Sequence, residues 1–551
     1  MSNLYRCEED GSHILRLTFD QVHDNYPTIA GDGTILYTRW EYNDRSQMFP
    51  QPLFQMSADG TQQRAVYGEN SWFPTTIIHA RAISGSRRIF AVATGHHSLQ
   101  AGDLIQIDPA RGRQEAEGVR LVAPLRKTEA VKIDAYGQEG PLFLYPYPLD
   151  QTSLVVTACP EGWLRKEGHV QRNRQAPFGL YWMDVEGHRE LLTTRKGYPC
   201  GRAVPLCARV RPPQRPDHVD YTCTKGTFYV QDVYVGEPME GVKRGTVKTL
   251  RVLSLDYRMA GIGHNKNSGP GGGALVSTPI SISHGAWDPK IVVGDAPVYA
   301  DGSVFFSVST RQPLYFMLLD DQGRMIQTMR SWTTLQPGEN ASCVGCHESK
   351  NSVPLAAKRP TLALAAGAAE LRLMNGPQRG FSFVKEVQPI LDRRCVSCHN
   401  GKDDKKPDLT GLPVVDGVAK RRWTRSYLAL THSKTEKMWP SGEAYAGKPD
   451  HPVLNWITAG STVKLIPPYF KGSNTSKLFT LLDQGHGKGM TPNEKAILAL
   501  WVDLGVPFCG DYTEAAEWTK EEWAKHKRYK EKRDRADAED RATLEALRRA
   551  S

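Results

Sequence analysis

Two short cysteine motifs constrain this chain more than anything else in it: Cys343-Val-Gly-Cys346-His347 and Cys395-Val-Ser-Cys398-His399, 52 residues apart. C-x-x-C-H is the attachment signature of a c-type haem. The spacing follows from the chemistry. Each thiol adds across one vinyl group of the porphyrin to form a thioether, and the adjacent His is then held beneath the iron as proximal ligand. One copy is a weak signal. Two copies predict two covalently bound haem c groups, with Cys343, Cys346, His347, Cys395, Cys398 and His399 as binding residues and His347 and His399 on the irons. The competing reading is a structural zinc site built from both C-x-x-C pairs, or from mixed thiolate and imidazole ligands. A thioredoxin-like motif would follow a strand and open a helix, and neither motif has that context. Of the other cysteines, Cys7, Cys159, Cys200, Cys207, Cys223 and Cys509, the pair Cys200 and Cys207 is a candidate bridge in an oxidising compartment, with free thiols as the alternative.

The rest of the chain must frame these motifs. Its 551 residues, 40% hydrophobic and 24% charged, have ordinary globular composition, enough for about two to four domains. The first third repeats itself. Leu4 to Gly11 recurs as Leu53 to Gly60 and, more weakly, as Leu180 to Gly187. Each copy is a strand pattern ending in an (Asp/Glu)-Gly turn. A first interval of 49 residues is the period of β-propeller blades, so residues 1–270 read as an N-terminal β-propeller of about six blades. Leu4 to Leu17 reads as the middle of a repeat, which points to a propeller truncated at its N-terminus. Residues 208–218, rich in Pro and Arg, interrupt the pattern, and Ser268 to Gly273 is a plain glycine-rich loop.

Residues 271–352 read as a small β-rich middle domain carrying the first haem, and the Ala/Pro-rich residues 353–380 as a linker. Phe383, Val387, Ile390 and Leu391 then share one helical face leading into Cys395, as a small α-helical cytochrome c domain opens, and 381–512 is assigned to it. Its closing helix is signalled by Thr491-Pro-Asn-Glu494, a capping box with Pro in the first turn, and by the apolar face Ile497, Leu498, Trp501 and Leu504. Residues 513–551 read as a charged helical tail with Trp518 and Trp523, exposed rather than partner-docking.

A low-spin c-type haem takes a second axial ligand, usually Met or His. For the second haem the candidate is His486, whose glycine flanks allow close approach to the iron; Met490 is the alternative, and His432, Met438 and His451 are further options. For the first haem no sixth ligand is evident, which allows an open iron beside His347. His96 and His97, in a strand-end loop of the repeats, are weak candidates to reach a haem at the propeller mouth.

The net charge of +10 is scattered, so a nucleic-acid partner, which calls for a basic face, is not expected. No apolar run is long enough for a transmembrane segment. The N-terminus as written shows no export signal, yet covalent haem attachment belongs outside the bacterial cytoplasm. The location expected is therefore periplasmic or otherwise extracytoplasmic, with the signal on a missing N-terminus.

The order of parts resembles the hydrazine synthase alpha-subunit family. The matching stretches are Ala93 to His97 with Gly102 to Asp108, Asp301 to Phe306, Met329 to Trp332 with Pro337 to Glu339, Ser342 to Glu348, Glu386 to His399, Ser476 to Leu478 through His486, and Trp501 to Leu504. The resemblance implies a propeller, a middle haem domain whose haem is the proposed active centre, and a C-terminal domain with a six-coordinate electron-transfer haem. It also implies an iron held by a Tyr four residues after the motif His while that His binds zinc. Asn351 stands at that position here, which favours ordinary iron ligation by His347. The function expected is an exported dihaem c-type cytochrome that transfers electrons within a redox complex, working with redox partner proteins or other subunits. The alternative is a redox enzyme acting on a small nitrogenous or other small molecule at the first haem.

Overall fold

The computed structural model describes residues 2–19, 23–41, 43–45, 51–96, 98, 100–123, 140–162, 165–166, 169–170, 178–256, 262, 280–281, 285–286, 288–351, 360–374, 376–417, 419–431, 451–458 and 461–550. The chain divides into two compact units, one of residues 1–6, 16–42 and 46–219, the other of residues 7–15, 43–45 and 220–551.

The first unit is built from four-stranded antiparallel sheets, each a propeller-like blade. The first runs through His23–Ile29, Ile35–Trp40, Leu53–Met56 and Arg64–Tyr67. The second uses Thr76–Ala82, Ile89–Thr94, Asp103–Ile107 and Val119–Ala123. The third uses Leu142–Pro148, Ser153–Cys159, Gly179–Asp184 and Arg189–Thr193. Alternate residues of a strand point to opposite faces, and the second sheet buries both. Ile77, Ala91, Ala93 and Ile105 pack with Leu36 and Leu53 of the first sheet. Ile78, Phe90, Val92 and Leu104 pack with Phe143 and Leu154 of the third. Each such Ile, Leu, Val or Phe side chain contributes roughly 1.5–3 kcal/mol by leaving water. The turns are shaped by an Asp-Gly-(Thr/Ser) device. At Asp59-Gly60-Thr61 the glycine is left-handed at φ +85°, while the Asp carboxylate accepts the Thr61 N–H at 3.0 Å and its hydroxyl at 2.7 Å.

The structure bears out several propeller-like sheets in the N-terminal region, fewer among the described residues than the six blades expected over 1–270. Among the described residues, three four-stranded sheets precede residue 220. Lys225–Val230 alternates in burial like a blade strand and Thr249–Leu255 is buried almost throughout; they pair antiparallel with Val304–Ser309 and with Lys290–Pro297 and Leu314–Leu319 respectively. The first unit ends at Val219, just after the Pro- and Arg-rich stretch 208–218, and not at residue 270.

In the second unit these strands form two four-stranded sheets that share one core. One sheet is ordered Asn340–Cys343, Lys225–Val230, Val304–Ser309, Ala369–Glu370; the other is Lys290–Pro297, Thr249–Leu255, Leu314–Leu319, Met325–Thr328. Phe228, Val230, Phe306 and Val308 of the first meet Leu250, Val252, Leu314 and Leu318 of the second. The expected linker is therefore structured in part. Helix α1 (Leu362–Ala366) is capped by the Thr361 hydroxyl, and Ala369–Glu370 pairs with Phe306–Ser307.

The helical part holds α2 (Gln388–Arg394), entered through a π-type turn at Phe383–Val387, α3 (Arg425–Thr431), α4 (Lys477–Asp483) and α5 (Pro492–Asp503). Phe383, Tyr427, Trp501 and Phe508 form its aromatic centre, with ring centroids 4.7–6.3 Å apart, the spacing such rings prefer. The last helix, α6 (Lys520–Ala550), is not an exposed tail along its length. His526 and Asp540 are buried on it, Arg311 pairs with Asp540 at 2.6 Å, and Arg548 donates to the Tyr221 carbonyl at 3.1 Å.

Candidate haem-binding sites

The first motif hangs on a sheet. Asn340–Cys343 runs parallel to Lys225–Val230, with Cys343 opposite Val230. Beyond the strand the backbones stay joined: Gln231 N–H donates to the Cys343 carbonyl at 2.9 Å, Asp232 N–H to Val344 at 3.0 Å, and Cys346 N–H to Val235 at 2.7 Å. Two glycines make this approach feasible. A Cβ on Gly345 would lie 2.2 Å from the Val235 oxygen, and one on Gly236 2.0 Å from the Cys346 oxygen. Glu348 closes the loop by accepting the Val344 and Gly345 N–H groups, each at 3.3 Å. His347 is left-handed at φ +61°, which turns the chain sharply after Cys346. The Cys346 side chain packs against the sheet core, and burial, with the charges of Cys343 and Glu348, pushes its thiol up to about 12.

The second motif ends a helix. Cys395 is the C-cap of α2, and Cys395 N–H donates to Leu391 at 2.8 Å. One further turn, with His399 N–H donating to the Cys395 carbonyl at 2.9 Å, stacks the two thiols and the imidazole on one local frame. His399 Nδ1 lies 3.2 Å from the Pro407 carbonyl. That bond fixes the tautomer and leaves Nε2 for a metal.

His486 sits between Gly485 (φ +95°) and Gly487 (φ +74°), and its ring faces that of His399 at 6.0 Å between centroids, 68° from coplanar. Two imidazoles sharing one ion through metal–nitrogen bonds of about 2.0–2.1 Å have ring centroids roughly 6 Å apart. The residues present therefore fit a bis-histidine iron. Met490 packs on the same loop, 3.6 Å from where a Gly487 Cβ would stand. His451 is otherwise engaged: its Nε2 bonds the Ala429 carbonyl at 3.1 Å, and its Nδ1 accepts from Val453 and Leu454. It is a structural residue, not a ligand. His432 and Met438 lie outside the described residues.

The sequence did not reveal what steadies this site. Glu494 completes the capping box with Thr491, but it also accepts from Arg394 at 3.1 Å and pairs with Arg393 at 3.3 Å, tying α5 to the turn before Cys395. Against the upward push of burial, the Thr491 N–H and the two guanidiniums hold its carboxyl down at about 2.

The four motif thiols do not meet in one place. Among the described residues no group of three or more His, Cys, Asp or Glu is arranged to hold a metal ion, so the all-thiolate zinc alternative has no cluster to use. His96 packs tilted against Trp40, with ring centroids 5.0 Å apart, in the first unit, and His97 lies outside the described residues. Cys200 and Cys207 form no disulfide, nor does any other described cysteine. No described helix is long and apolar enough to cross a membrane.

Residues 245–348 match the family model of the hydrazine synthase alpha subunit middle domain, a stretch that ends on the first motif. The chain is 22% identical to hydrazine synthase subunit alpha of Kuenenia stuttgartiensis over 619 residues, covering 91% of this chain and 72% of that one. Its fold is similar to the solved structure of Kuenenia stuttgartiensis hydrazine synthase, at a TM-score of 0.61 and 18% identity, covering 90% of this chain and 71% of that one. These findings bear out the resemblance read from the sequence.

Proposed function

From its likeness to the hydrazine synthase alpha-subunit family, we propose that this chain is a haem c-dependent redox enzyme acting on a small, nitrogenous-type molecule at the first motif, with the second as its electron port. The similarity to a hydrazine synthase subunit favours an enzyme over a simple electron carrier. The observation that carries the division of labour is the His399–His486 pair. If His399 and His486 both held an iron, that site would leave no position for substrate, and substrate chemistry would fall to the first.

Haem iron, when bound, supplies one-electron chemistry and a coordination position. The chain's own residues do the rest. Cys343 and Cys346 would anchor the porphyrin, and His347 would ligate from below. The Glu348 carboxylate and the backbone joints to Asp232 and Val235 fix that ligand's position. Asp232, paired with Arg244, gives the loop a rigid, charge-balanced base. Cys395, Cys398 and His399 would hold the second group, with His486 opposite and Pro407 orienting His399.

The same reading places the protein in an extracytoplasmic compartment, where haem c is attached, and gives it redox partners or companion subunits. Zinc beside His347 has no support from this chain's residues, since Asn351 stands where the family's Tyr would be. The deciding experiment is carbon monoxide added to the reduced protein. One CO-responsive haem out of two, lost in Cys343→Ala/Cys346→Ala, supports the enzyme reading. Two inert haems would leave electron transfer alone, the second reading, which the His399–His486 pair favours by itself.

A further inference from the structure

In the first unit, the opening strands of the three sheets share one irregularity. His23–Ile29, Thr76–Ala82 and Leu142–Pro148 are each seven residues long, and each breaks register around its fourth residue. Those residues are Tyr26, His79 and Tyr145, left-handed at φ +55°, +56° and +48°. Such backbone is disfavoured for large side chains, and residues held in it concentrate at ligand sites.

The three rings meet. Tyr26 stands edge-on to His79 at 4.6 Å, and His79 lies 4.0 Å from Tyr145. His79 is 4% exposed. Its Nδ1 accepts the Tyr145 N–H across a long 3.5 Å, so in the neutral ring the proton sits on Nε2. Burial, then Arg202, holds the imidazole neutral, with its pKa down at about 3. The buried Nε2 has no hydrogen-bond partner, and an N–H donor in that state calls for an acceptor. Arg202 lies 4.7 Å over the Tyr145 ring and donates to its hydroxyl at 3.1 Å. Its charge acts on both His79 and Tyr26. The Tyr26 hydroxyl is turned to the Gln100 side chain.

A donor without an acceptor, a guanidinium beside it and two aromatic walls define one ligand chemistry. We propose that Tyr26, His79, Tyr145 and Arg202 form a binding site for a small carboxylate or comparable oxyanion, held by the His79 Nε2–H and the Arg202 guanidinium. This site does not depend on haem.

The test is calorimetric titration of the full-length protein with sodium formate against sodium chloride at equal ionic strength, paired with thermal unfolding in both salts. The expected result is saturable formate binding, a formate-specific rise in Tm, and a loss of about tenfold or more in affinity in Arg202→Gln. His79→Phe should abolish binding. Should that variant fail to fold, Arg202→Gln, a change at an exposed side chain, decides alone. The haem Soret band, recorded in parallel, must give the same formate response in wild type and variant, which separates this site from iron. No formate effect beyond chloride, meaning a site that holds only water, would overturn the proposal. So would full binding in Arg202→Gln.

Discussion

The His399 and His486 imidazoles face each other across 6.0 Å at 68° between planes, though 87 residues separate them in sequence. The first is fixed by the turn after α2, the second by a glycine-flanked loop between α4 and α5. Their meeting is a product of the fold that packs α5 on the turn before α2.

If this pair holds the second haem, His486→Ala converts it from low to high spin, and a second CO-responsive signal appears beside the first. An unchanged visible spectrum would transfer the ligand role to Met490.

Gly236 is a second point of failure. A methyl group there meets the Cys346 oxygen at 2.0 Å, on a residue already at φ +118°. Gly236→Ala should displace the first motif from its sheet and lower covalent haem stoichiometry by about half, as read by pyridine haemochrome. The control, Gly241→Ala, has a positive φ but open space around it, and should keep both haems.

Glu494 makes acid stability a readout. Its carboxyl is held at about 2 against an ordinary value of 4.5, so its stabilisation is complete above the ordinary value and disappears as pH falls towards 2. Glu494→Gln should lower Tm at pH 6 and converge on wild type near pH 2. A Tm difference that persists unchanged into acid would show that the Arg393 and Arg394 contacts contribute nothing.

The docking of α6 rests on Arg311 and Asp540, both nearly buried. Removing one partner of such a pair strands the other charge, at a cost of about 3 kcal/mol. Asp540→Asn should speed tryptic cleavage within α6 several-fold and leave the haem spectra unchanged. Cleavage at the wild-type rate would return the helix to the status of a solvated tail.

How much of this was legible follows from how local each signal is. The haem motifs are five consecutive residues, and the capping box at Thr491 and Glu494 four; both can be read directly. His486 was nameable from its glycines alone. The blade count was not, because Lys225–Val230 carries the same alternation whether it closes a propeller or pairs with Val304–Ser309. Ala369–Glu370 hid inside an Ala/Pro-rich stretch because two residues suffice to extend a sheet edge. Two of the three bulges carry a Tyr-Pro pair, Tyr26-Pro27 and Tyr145-Pro146, but the third is His79-Ala80, so no one residue pattern marks all three.

The two attachment motifs differ in when they can exist. The turn carrying Cys395 is closed by bonds within a dozen residues, so it can form while the chain is still emerging. The Cys343 strand waits for a parallel neighbour 113 residues upstream, and parallel pairing over such a distance is slow. Were haem attached at Cys343 and Cys346, its attachment would race the closing of a sheet: the maturation machinery would have to reach these thiols in the interval before Gly236 and Val235 lock against them.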